Sequence, residues 1–201
     1  MVKKAVVVTG AARRFEDLKA AYLVIGDSAV SRLTWIAQFA REDPSTWQSG
    51  TRAAHGNCIL ALTGFLFPPN LVGGPRIPPP LPPEDVDEVH RALKRAMHDL
   101  VNNPAGEPVD IPTDAVSVAV VRVSGVHEKP AKWGTVLTYT SPLAVLHALK
   151  DLVLVAGDRL VACRYCAAPF VAFKKQEFCG EQCAQKSRNE KKAAKKAGRK
   201  S

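Results

Sequence analysis

The chain has 201 residues, of which 46% are hydrophobic, and a formal charge of +9. That is enough to pack one medium domain with a small appendage. Five cysteines are too sparse for a secreted disulfide scaffold. Lys3 and Lys4 precede only a short valine run, too brief for a leader. The apolar run over 58–67 falls below a membrane span. A cytoplasmic protein with no membrane partner is therefore expected.

In chain order, residues 2–8 suit a short buried strand rich in valine. A helix is expected over 28–41, where Val30, Leu33, Ile36, Ala37 and Ala40 recur at helical spacing. Asp27 or Ser28 can cap its start and Pro44 stops it. The run over 58–67 fits either a helix or a strand. Eight prolines and two glycines over 68–83 mark a break, read as a plain connector. An amphipathic helix follows over 84–102, with Val86, Val89, Leu93, Met97, Leu100 and Val101 on one face. Glu84 and Asp85 lie in its first turn, where the helix dipole favours negative charge. Residues 115–123 and 133–140 read as two strands of a hairpin, and 142–156 as a helix with Pro142 near its start.

Near the C-terminus stand Cys163, Cys166, Cys179 and Cys183, in the pattern C-x2-C-x12-C-x3-C. Two close pairs a dozen residues apart can converge on one tetrahedral ion, and four thiolates make a closed, structural zinc site. A treble-clef-like arrangement is expected. Residues 163–166 form the knuckle, 170–173 a short strand, 174–176 a turn, and Glu177 and Phe178 the return. Four-residue spacing puts Cys179 and Cys183 on one side of an opening helical turn, where backbone N–H groups stabilise thiolate charge. Arg164, Lys174 and Lys175 are the cations expected to offset that charge.

The tail after Cys183 carries eight basic side chains against one acid, Glu190. The charge therefore sits at one end of a nearly neutral body. Alanine, lysine and glutamine favour a helix, which Gly198 can end. Around such a helix, Arg188, Lys191, Lys192, Lys195, Lys196 and Arg199 cluster on one side. Cys179, Cys183, Glu190, Ala193, Ala194 and Ala197 fall on the other, as if continuing the metal-facing surface. A segregated cationic face is what phosphate binding needs. A solubilising tail is the bland alternative.

From residue 84 onward the layout resembles the bacterial CGNR zinc-finger proteins, with Cys163, Cys166, Phe170, Cys179 and Cys183 in the expected order and a basic helix after them. That family joins an N-terminal α/β domain to a C-terminal cysteine finger and is regarded as a group of transcription regulators. The resemblance implies zinc ligation by the four cysteines, and regulation by analogy. After the last cysteine the family reads Gly-Asn-Arg, whereas this chain has Ala184, Gln185 and Lys186, and its cysteine pairs are more tightly spaced.

No catalytic constellation is evident. The stretch from Val6 to Ala12 resembles the opening of a short-chain dehydrogenase, but Arg13, Arg14 and Phe15 stand where further glycines are needed. His90 and His98 read as surface residues, and Cys58 as a buried, inert thiol. The expectation is an α+β protein with a body over 1–157 and a zinc finger over 158–201. Its expected role is zinc-stabilised binding of nucleic acid, DNA rather than RNA, by a transcription regulator that is not an enzyme. The body would sense an effector or pair with a second copy. A protein-interaction adaptor with a purely structural zinc is the first alternative. An enzyme with a site in the N-terminal half is the second.

Overall fold

The computed structural model describes residues 10–63, 79–103, 109, 111, 116–123, 132–139 and 142–197. The expected strand over 2–8 and most of the proline-rich break lie outside these residues. The described part is mostly helical with two small antiparallel sheets, in keeping with an α+β chain.

The first helix, α1 (Gly10–Ile25), was not anticipated. Leu18, Ala21 and Ile25 recur on one face and are buried. Gly26 closes the helix with φ +73°, and its N–H reaches the Tyr22 carbonyl at 3.0 Å. A β-carbon there would sit 2.6 Å from Ser31 Oγ, so only glycine fits this left-handed close. The next helix, α2 (Ala29–Phe39), matches expectation. Ser28 is its cap, with Oγ accepting the Ser31 N–H at 3.0 Å. Leu33, Trp35, Ile36, Ala37 and Phe39 are all buried.

The described start of the ambiguous run, 58–62, belongs to α3 (Ser49–Leu62), a helix whose second half is buried from Cys58 to Leu62, and 64–67 lie outside the described residues. Next, α4 (Pro83–Asn102) buries Val86, Val89, Leu93 and Met97 along one stripe, with Pro83 at its first position. Strands β1 (Val116–Val123) and β2 (Lys132–Tyr139) pair antiparallel, Val116 opposite Tyr139 and Val123 opposite Lys132. A short 3-10 turn at Pro142–Ala144 leads into α5 (Val145–Ala156). In the core, α1 packs on α3, α3 on α4, and α2 on α5.

Beside this core, Trp35, Phe39 and Trp47 form a near-parallel ladder with ring centroids 5.0 and 5.5 Å apart. His90 was expected at the surface and is instead 2% exposed. It stands edge-on to Phe39 and Trp47, and neither ring nitrogen has a hydrogen-bond partner. Its helical neighbours are apolar because it lies on the buried stripe of α4, one residue after Val89. His98, two turns on, is exposed as expected. Glu42 braces the ladder by accepting Trp47 Nε1–H at 2.8 Å and meeting His55 Nε2 at 2.9 Å.

From α5 the chain passes through a 3-10 turn, Gly157–Arg159, into β3 (Leu160–Ala162). This strand pairs antiparallel with β4 (Pro169–Val171), and α6 (Glu181–Ala197) follows. The ribbon packs against α2 and α4, and Val171 belongs to the principal core. Cys163, Phe170 and Ala172 form a second, much smaller core.

Candidate metal centre

The two strands leave the ribbon at one end and enclose the first cysteine pair. The Cys163 N–H bonds the Ala168 carbonyl, and the Ala167 N–H bonds the Cys163 carbonyl, each at 2.9 Å. Ala167 closes this loop at φ +58°, a conformation that costs energy without glycine. The knuckle is thus tight before any ion is considered. The expected return strand at Glu177 and Phe178 does not form. The partner of β4 is β3, on the other side of the knuckle.

The second pair arrives at the start of α6, with Cys183 in its first turn. The Arg164 N–H bonds the Glu177 carbonyl at 3.1 Å, and the two side chains pair at 2.8 Å. The Cys179 N–H points at Cys163 Sγ, 3.4 Å away. All four sulfurs lie within 4.8 Å of one another. Cys166 and Cys179 are 3.7 Å apart at sulfur, and Cys179 and Cys183 3.6 Å. A tetrahedron of sulfurs, each about 2.3 Å from a central ion, has edges of about 3.8 Å. A disulfide would need about 2.05 Å, and all the cysteines are free thiols. The donor set is therefore right in kind, number and spacing for a metal ion, and zinc is compatible with it.

Its electrostatics point the same way. Burial alone would raise the Cys163 thiol, but N–H groups of Cys166, Cys179 and Tyr165 outweigh it and hold the pKa at about 6. Burial pushes Cys179 upward, and the neighbouring sulfurs add to this. Without a cation, the cluster cannot ionise fully. A divalent ion would displace the remaining protons.

One of the cations expected to offset the thiolates is engaged by a carboxylate. Arg164 is committed to Glu177. Arg41, beyond the end of α2, supplies positive charge that acts on Cys179. That charge comes from the body, which the sequence order did not reveal.

Beyond Cys183, α6 is tied to the knuckle where Tyr165 donates its hydroxyl to Glu190 Oε1 at 2.8 Å. Glu190 therefore faces the metal module, as expected. Ala193 and Ala194 do not continue that surface, because both are exposed. Arg188 is paired with Glu181 and also donates to Gln185 at 2.9 Å. Lys191, Lys192, Lys195 and Lys196 are exposed and have no ion pair among the described residues. Arg199 lies outside the described residues. Cys58 is buried in α3, away from the cluster, and burial pushes its thiol up to about 12.

No family model, curated protein or solved structure matches the chain. Among the described residues no helix is long and apolar enough to cross a membrane.

Proposed function

We propose that the chain is a zinc-stabilised nucleic-acid-binding protein, a transcription regulator of the kind the CGNR resemblance implies. In this proposal 158–201 form a treble-clef-like finger. Cys163, Cys166, Cys179 and Cys183 would hold the ion as four thiolates. It would supply a cross-link and no open position for substrate.

The observation that carries the proposal is the state of α6. Lys191, Lys192, Lys195 and Lys196 recur along one side, exposed and without carboxylate partners among the described residues. Cys183 and the Tyr165–Glu190 bond fix the base of the same helix. A solubilising tail needs charge but not a tethered direction. A phosphate-binding rod needs both. Lysine provides charge rather than bidentate geometry, so these contacts would hold the backbone more than read bases. Duplex DNA is the preferred partner in this proposal because its dense phosphates suit a rigid cationic rod.

Four lysines that each neutralise one phosphate give a slope of log K against log salt of about −3.6. Replacing all four by alanine should remove most of that slope while leaving bound metal unchanged. Anisotropy titrations at several salt concentrations, paired with elemental analysis, check this. Binding that is insensitive to salt, or unaltered by the four substitutions, contradicts the proposal.

A further inference from the structure

The loop between β4 and Cys179 carries an aromatic ring that is largely exposed. Val171 and Ala172 are buried, and Phe170 fills the small core. Phe173 then turns outward and is 58% exposed. Lys174 and Lys175 follow, both exposed and without ion pairs among the described residues.

The turn that displays this ring is hydrogen-bonded at several points. The Ala172 N–H bonds the Arg159 carbonyl at 2.7 Å, fixing the point of departure. Gln176 then fastens the turn three times. Its N–H bonds the Phe173 carbonyl at 3.3 Å. Its Oε1 accepts the Phe173 N–H at 3.3 Å, and its Nε2 donates to the Phe178 carbonyl at 2.9 Å. Lys174 holds φ +57°, a left-handed conformation that a non-glycine residue adopts only when its surroundings impose it. This turn therefore presents a largely exposed ring followed directly in the chain by two exposed lysines.

We infer that Phe173 is a stacking platform for an unpaired or extruded base of the nucleic acid whose phosphates α6 holds. This rests on the nucleic-acid proposal above and adds what the strand must offer: an accessible base face. An apolar protein pocket that received the ring would have to desolvate Lys174 and Lys175 as well. A nucleotide satisfies both demands, because its base covers the ring and its phosphates meet the ammonium groups. The alternative occupant, a second copy of the chain, is separated by the test.

The probe is an oligothymidylate strand, compared with the same strand carrying abasic sites, with the full chain loaded with zinc. Removing the bases should weaken binding by the wild-type protein by roughly tenfold. Phe173→Ala should lose that preference for intact over abasic strand, with salt slope and zinc content unchanged. Phe173→Trp should retain the preference and show quenched emission on binding the intact strand. Equal wild-type affinity for the two strands, with a steep salt slope, overturns the stacking role and leaves the phosphate role standing. A change of oligomeric state in Phe173→Ala, seen by light scattering, likewise overturns it and assigns the ring to contact between copies. A wild-type protein with no salt-dependent binding to this strand or to a duplex removes the proposal on which the inference rests, whereas binding to the duplex alone overturns the stacking role and leaves the phosphate role standing.

Discussion

The body and the metal module are stabilised in opposite ways. The body buries a continuous apolar core that runs through α1 to α5, with Leu33, Ile36, Ile59, Val89, Leu93 and Met97 fully enclosed. The module has three buried residues of its own, and one of them is a cysteine. Hydrophobic burial suffices for the first, because each large side chain withdrawn from water contributes about 1.5–3 kcal/mol. It cannot suffice for the second. Under the proposed zinc site, strands of three residues and a helix exposed over most of its length depend on four sulfurs meeting at one point. The module gives up self-sufficiency and gains an exposed, directed helix.

The most severe way to break this asymmetry is to remove a ligand. Cys179→Ala should abolish stoichiometric metal, removing a binding free energy of about 10–16 kcal/mol. Amide exchange should accelerate across α6 while α2 and α4 keep their protection. Uniform loss of protection would mean that the two regions share one source of stability.

The converse change targets the body. Leu93→Ala leaves a cavity beneath fully buried side chains and should cost about 2–5 kcal/mol in denaturant unfolding. Metal content should not change. Loss of metal from this variant would show that the docked ribbon, through Val171, depends on the body more than on its own ion.

Acid sharpens the contrast further. Burial lowers the pKa of His90 from its ordinary 6.5, and the Lys94 charge adds to this; the nearby backbone of Glu42 and Phe39 and the Glu42 charge act in the opposite sense. Lys94 lies on α4, while Glu42, Asp43 and His55 come from the segments around the aromatic ladder. A depressed basic group binds fewer protons folded than unfolded. Stability is therefore untouched above pH 6.5 and falls as pH drops below it, by at most about 1.4 kcal/mol per pH unit. Tryptophan emission from the ladder should report this loss, and His90→Phe should flatten it. A pH profile unchanged by that substitution contradicts the role given to His90.

The smallest expected effect is at the junction of knuckle and helix. Tyr165→Phe removes the bond to Glu190, which is exposed, so the cost should be about 0.5–1.5 kcal/mol. It should appear as faster exchange in the second half of α6, without metal loss. No change in exchange would mean that Cys183 alone directs the helix.

The sequence revealed what is local. The Ser28 cap, the stripe from Val86 to Met97, the alternating hairpin strands and the paired cysteines all rest on spacing within one element or motif. It concealed what arises between elements. The ladder around His90 draws rings from α2, the following loop and α4, so no single window displays it. Arg41 lies far from the cysteines in the chain, yet its charge acts on Cys179. The strand Leu160–Ala162, only three residues long, is too short for its sequence to mark it as the partner of β4. Two further misses were local. In α1, Leu18, Ala21 and Ile25 carry the helical period, but the valine run before Gly10 drew attention to a strand. In α3, the polar first half hides a helix whose apolar residues crowd toward its end.

The most direct test of the account is X-ray absorption at the zinc edge on protein purified with its metal. Four sulfur neighbours at about 2.3 Å, with one zinc per chain, are expected. Nitrogen or oxygen scatterers in place of any sulfur, or protein without zinc whose cysteines are joined in disulfides, would contradict it.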